Sequence, residues 1–111
     1  MNAEYIQRGE SLDYKNETGK QIEAGEVVVF GTRIGVAGTT IPIGATGSIH
    51  MIGVFKMPKK DGEAIEKGAT IYHSEDGMTA VAAEGQALPV AGYAVDTSAA
   101  ANKNVMVKLA G

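Results

Sequence analysis

The sequence predicts an all-β fold, a small barrel or sandwich of short antiparallel strands with a flexible N-terminal arm. Three observations point there. Its apolar stretches are short and rich in Val, Ile and Thr, too brief for helices but suited to pleated, half-buried strands. Nearly every stretch is bounded by Gly, Pro, Asn or Asp, the residues that turns demand. Fifteen glycines, four tyrosines, two phenylalanines and no tryptophan among 111 residues imply many tight turns around a core of Val, Ile, Leu, Met and Ala.

Taken in order, residues 1–4 hold nothing to bury and read as an arm, leaving residues 5–111 as one β domain. Tyr5-Ile6-Gln7 and Ser11-Leu12-Asp13-Tyr14-Lys15 read as two short strands around a bend at Arg8-Gly9-Glu10. Leu12 and Tyr14, two apart, share a face, and Asp13 points to water. Residues 16–20 form a polar turn; their Asn16-Glu17-Thr18 is a formal glycosylation sequon, which without a secretory signal is chance. Glu26-Val27-Val28-Val29-Phe30 and Ile34-Gly35-Val36-Ala37 make a hairpin around residues 31–33.

Residues 41–58, IPIGATGSIHMIGVFKMP, read as the central strand, with turns at the prolines of both ends. Ile49, Met51, Phe55 and Met57 fall on one parity and Ile52 and Val54 on the other, so both faces are expected to be covered. A charged loop follows, and Glu63-Ala64-Ile65-Glu66-Lys67 has room for one helical turn at most. Ala69-Thr70-Ile71-Tyr72-His73 then pairs with Met78-Thr79-Ala80-Val81 around Asp76-Gly77. Residues 82–86 are a small-residue connection, and Ala87-Leu88-Pro89-Val90 brings in a strand at residues 92–96. After an alanine-containing loop the chain closes on a strand with Val105, Val107 and Leu109 on one face and Met106 and Lys108 on the other.

Ile22-Glu23-Ala24-Gly25 and Ile65-Glu66-Lys67-Gly68 share the form I-E-x-G. Each opens a hairpin and is followed by an aliphatic-Pro-aliphatic step, Ile41-Pro42-Ile43 and Leu88-Pro89-Val90. The two offsets differ, so the pattern is either a duplication carrying an insertion or grammar common to many hairpins.

Ten basic and thirteen acidic residues leave a formal charge of −3, with no basic run longer than Lys59-Lys60, which argues against a nucleic-acid partner. No apolar stretch reaches the roughly 18 residues of a membrane span, and residues 1–11 lack an apolar signal core, so no membrane partner is expected and the chain reads as soluble and made in the cytoplasm. Cysteine is absent, which removes disulfides, thiolate metal sites and a cysteine nucleophile.

The chemistry-bearing residues form no recognised constellation. His50 and His73 lie far apart in sequence, and His73 with Glu75 and Asp76 reads as a hairpin tip rather than a metal site. No G-x-S-x-G elbow frames a serine nucleophile, and Gly19-Lys20 lacks the preceding glycine and following Ser or Thr of a phosphate loop. Phe55-Lys56-Met57 invites an alternative, a biotinyl or lipoyl carrier domain modified on Lys56. Against it, the lysine ends an apolar strand, follows a bulky Phe and precedes Pro58 by two.

The chain resembles the small phage and prophage family DUF2190, associated with phage capsid cement or decoration proteins. The resemblance rests on Tyr5-Ile6-Gln7-x-Gly9-Glu10-Ser11-Leu12, Gly25-Glu26-Val27-Val28, Ile34-Gly35-Val36-Ala37, Pro42-x-Gly44, Gly53-Val54-Phe55-Lys56-Met57-Pro58-Lys59, Gly68-Ala69-Thr70-Ile71-Tyr72 and the closing Val105-Met106-Val107-Lys108-Leu109-Ala110-Gly111. Some members are labelled recombinases; the missing phosphate loop argues against that label here. The resemblance implies a β-rich, non-enzymatic homotrimer without cofactor. It would sit on the outer surface of an icosahedral head in the virion and bridge neighbouring copies of the major capsid protein. Within that frame Asn2, Ala3, Glu4, Tyr5 and Ile6 are expected to order on the capsid by pairing with an exposed strand edge of the shell protein, the motive being the apolar pair Tyr5-Ile6 directly behind a featureless arm, and the trimer contact is expected either on the exposed parity of the central strand or at Ser98, Ala99, Ala100 and Ala101.

Overall fold

A computed structural model describes residues 1–82 and 88–109. Nine strands join in one sheet: β1 (Ser11–Lys15), β2 (Val27–Phe30), β3 (Arg33–Ala37), β4 (Thr46–His50), β5 (Val54–Pro58), β6 (Thr70–Ser74), β7 (Gly77–Thr79), β8 (Val90–Ala94) and β9 (Asn104–Leu109). No helix occurs among the described residues. The sheet curls through the order β1-β4-β3-β8-β6-β7, with β2 on β3 and β9 holding β5 against β8.

The hydrogen bonds reveal a duplicated unit. In the first, strands run β1-β4-β3-β2; in the second, β5-β9-β8-β6, and the registers match except where the β6–β8 register shifts after Ile71, so that Tyr72 faces Val90. Leu12 faces Ile49 as Phe55 faces Val107, and Tyr14 faces Gly47 as Met57 faces Val105. Ala37 faces Ile49 as Ala94 faces Val107, and Val28 faces Gly35 as Ile71 faces Gly92. The loops match too. Ile22 and Ile41 exchange both backbone bonds, as do Ile65 and Ser98, while Gly25 N donates to Ala37 O as Gly68 N does to Ala94 O. Gly25 and Gly68 have φ of 89° and 86°, a region costly to any residue with a Cβ, which accounts for the glycine of I-E-x-G. The duplication is therefore present in the fold, but the counterpart of Ile41 in the second unit is Ser98, so the two aliphatic-Pro-aliphatic steps are not equivalent.

At one equivalent place the two units each bury a polar side chain, Asn16 in the first and Lys59 in the second. Asn16 Nδ2 donates to Lys20 O (2.7 Å) and Ile41 O (2.9 Å), and Lys59 Nζ donates to Glu63 O and to Ala100 O (3.3 Å). Both plug a loop by donating to two of its backbone carbonyls. Asn16 is fully buried, which removes its sequon from consideration as an acceptor.

Two apolar clusters result. The smaller gathers Ile22, Val28, Ala37, Ile41, Ile49 and Met51; the larger gathers Met57, Ile65, Ile71, Met78, Val105, Val107 and Leu109 with others. β3 serves both, with Ile34 and Val36 in the larger cluster and Ala37 in the smaller. As expected, Val105, Val107 and Leu109 are buried and Met106 and Lys108 exposed.

Several expectations change. Residues 41–58 are not one doubly covered strand. Gly53, at φ 122°, marks a break between β4 and β5, which belong to different units, and Ile52 (43%) and Val54 (51%) face out. Residues 5–7 form no strand, since nothing pairs with them. Residues 63–67 take no helical turn, because Ile65 is held extended by its exchange with Ser98. The second hairpin turns at Glu75-Asp76, and Gly77 pairs with Ser74 inside the ladder. Of the expected connection at residues 82–86, all but Ala82 lies outside the described residues, as do Ala87 and the closing Ala110-Gly111.

Candidate functional site

Three surface features remain once the core is accounted for. The first is the outer face of β5, β9 and β8. Val54 lies opposite Lys108, which lies opposite Tyr93, and Lys56 lies opposite Met106. All five side chains are exposed, and Lys108 Nζ stands 5.7 Å from the Tyr93 ring centroid. Alternation along β5 and β9 produces this face: the same pleat that sends Met57, Val105 and Val107 inward sends Lys56, Met106 and Lys108 outward. Lys56 sits mid-strand, not at the hairpin tip that a carrier lysine would occupy.

The second is the N-terminal segment. Asn2, Ala3, Glu4, Tyr5 and Ile6 are all exposed, Tyr5 at 74% and Ile6 at 78%, and an Arg8–Glu10 ion pair of 3.1 Å lies between them and β1. The loop at residues 98–101 is split by the fold. Ser98 is buried, its Oγ donating to Asn104 O (2.8 Å), and only Ala99, Ala100 and Ala101 reach the surface.

The third is a cavity of about 340 Å³ in the first unit, between Tyr14, Lys20, Ile22 and the β2 residues Val27, Val28 and Val29. A second cavity, of about 260 Å³, lies beside His73, Glu75 and Met78. Burial lowers the His73 pKa below its usual 6.5, with the Glu75 charge pulling the other way. His50 stacks on Phe55 with ring centroids 6.3 Å apart and lies within 3.4 Å of Ser11 Oγ. No group of three or more His, Asp or Glu side chains converges on a metal position among the described residues. The outer face was implicit in the parity of Lys56, Met106 and Lys108, whereas the cavity left no mark in the sequence except the unequal length of the two units.

A family model for phage cement proteins matches residues 6–109. Comparison with curated proteins and with solved structures returned no match. The match spans both units through β9, and on it the chain belongs to the phage cement protein family.

Proposed function

We propose that the protein binds the outer surface of an icosahedral head as a homotrimer, bridges neighbouring copies of the major capsid protein and stabilises the shell without catalysing a reaction. The observation that carries this reading is the face across β5, β9 and β8. Three strands in register present apolar and basic groups together, Val54, Met106 and Tyr93 beside Lys56 and Lys108, on a chain whose net charge is −3. A face of that kind suits an acidic, partly apolar protein surface, where charge guides approach and buried apolar area holds the complex. Repetition around a trimer and over a lattice lets a modest contact add up through avidity.

The test mixes purified protein with expanded, undecorated heads and counts bound copies. Joint Lys56→Glu and Lys108→Glu substitution should lower occupancy at least about tenfold at fixed concentration, the loss of about 1.4 kcal/mol or more, and lower the temperature at which heads break open. Binding by the unsubstituted protein should weaken as salt rises. Unchanged occupancy would remove this face from the reading, and absence of any binding would remove the outer-surface placement.

A further inference from the structure

The two units differ by one strand. In the second, β7 pairs along the free edge of β6, with Tyr72 opposite Thr79 and His73 opposite Met78. It buries Met78 to 2% in the larger core, and Thr79 Oγ1 and Ala80 N donate to the Glu63 carboxylate at 2.6 and 2.8 Å. A parallel bridge from Met78 to Lys59 carries β7 back to the end of β5, so this unit curls nearly closed.

The first unit has the same walls and no such strand. By the matched registers, Tyr14 stands where Met57 does, Lys20 where Glu63 does, Ile22 where Ile65 does, and Val27, Val28 and Val29 where Thr70, Ile71 and Tyr72 do. These residues line the 340 Å³ cavity. Among the described residues β2 pairs with β3 alone, and Val29 remains 43% exposed. The cavity is thus a strand-shaped slot whose occupant is known, in the other unit, to be an extended segment with one apolar side chain turned inward.

We propose that this groove is a strand-acceptor site, filled in the assembled protein by the N-terminal arm of a second copy. Apolar side chains select the occupant. Tyr14, Ile22, Val27, Val28 and Val29 line the groove, with one charge of each sign, Lys20 and Glu26, beside them. Tyr5 and Ile6 are the apolar pair that the fold leaves uncovered. With the polarity of β7, Tyr5 takes the place of Met78, opposite Phe30, and Ile6 that of Thr79, opposite Val29.

Polarity selects a second copy over the same one. β7 runs antiparallel to β6 and parallel to the end of β5. An arm folding back through the bend at residues 8–10 would run antiparallel to β1, the counterpart of β5, and so enter the groove reversed. An arm from a neighbour has no such constraint, and a head-to-tail exchange of this kind closes into a ring. The main chain supplies affinity and the groove the choice of side chain, as in other strand additions. The site does not depend on where the assembly is carried.

The test uses a peptide of residues 1–9 and protein lacking residues 1–6, which contribute nothing to either core. The full chain should self-associate in sedimentation and the truncated chain should not. The peptide should bind the truncated chain saturably, and Tyr5→Ser in the peptide should weaken that binding about tenfold. Because the chain has no cysteine, the pair Ile6→Cys and Val29→Cys gives a direct readout, with disulfide-linked multimers expected on oxidation. Retained self-association after truncation, or peptide binding indifferent to Tyr5→Ser, would overturn the proposal. So would truncated protein that coats heads fully while Val29→Lys abolishes coating, which would assign the groove to a strand of the shell.

Discussion

The duplicated units predict a compensating pair of substitutions in the smaller core. Ile41 and Gly47 of the first unit correspond to Ser98 and Val105 of the second, since Ile41 exchanges backbone bonds with Ile22 as Ser98 does with Ile65, and Gly47 faces Tyr14 as Val105 faces Met57. Bulk has moved from one position to the other. A Cβ on Gly47 would lie 2.5 Å from Ile41 Cγ1 and 2.9 Å from its Cδ1. Gly47→Val alone should therefore cost about 2–3 kcal/mol, the upper part of the overpacking range, because Ile41 is 1% exposed and has little space to retreat into. Ile41→Ser alone removes a buried side chain and buries a hydroxyl, at about 4 kcal/mol. Combined additively they would consume about 6 kcal/mol, most of the stability of a small domain. The double variant should be at least about 2 kcal/mol more stable than that sum, because the new valine enters the space the isoleucine leaves. Urea unfolding followed by circular dichroism measures all four corners of the cycle. Should Ile41→Ser prove unfolded, a folded double variant makes the same point. Additivity within about 0.5 kcal/mol would show that the two positions do not share space and would refute the correspondence of the units.

Asn16→Ala should cost about 2 kcal/mol and lower the thermal midpoint by about 10 °C; the loss is moderated because Ile41 O keeps Ile22 N and Lys20 O keeps Thr18 Oγ1 as donors. Gly77→Ala places a Cβ 2.8 Å from Lys59 C and 2.9 Å from Lys60 N at φ +125°, so it should destabilise by about 2 kcal/mol or more and speed hydrogen exchange of the Lys60 amide, which donates to Met78 O. His73 has a folded pKa below its unfolded 6.5, so the folded state binds its proton less readily; its contribution is intact above pH 6.5 and is lost as pH falls from there through the folded value. Urea midpoints at pH 7.5 and 5.5 should differ in that direction, and by less in His73→Gln.

Hairpins and the final strand were legible because their signal is local. The run Val27-Val28-Val29-Phe30 and the alternation of Val105, Val107 and Leu109 each specify strand and face within a few residues. Residues 41–58 misled because parity identifies two faces without saying which one meets protein. Ile52 and Val54 look as apolar as Ile49, yet they sit on the open side of the sheet. The duplication was half legible for a related reason. Its constraints act on backbone geometry, and only the glycines at positive φ and the isoleucines between exchanged backbone bonds demand a residue type. Elsewhere Asn16 and Lys59 do one job with unlike side chains, and Ile41-Gly47 and Ser98-Val105 fill similar space in different ways. Leu88-Pro89-Val90 repeated a motif without repeating a place.

The missing strand of the first unit connects stability to assembly. The second unit closes its own edge with β7, whereas among the described residues β2 keeps an unpaired edge. Any strand that binds this groove in the folded chain and not in the unfolded one stabilises the fold by mass action, and the effect grows with local concentration. On a head surface, copies sit at fixed spacing and the effective concentration of a neighbour's arm is set by its tether, not by dilution. A subunit whose first unit is completed only by its neighbour would then be least stable when free and most stable in place. Shell reinforcement and subunit folding would draw on the same strand pairing, and truncating the arm would lower the melting temperature of the assembled protein while leaving that of the dilute monomer unchanged.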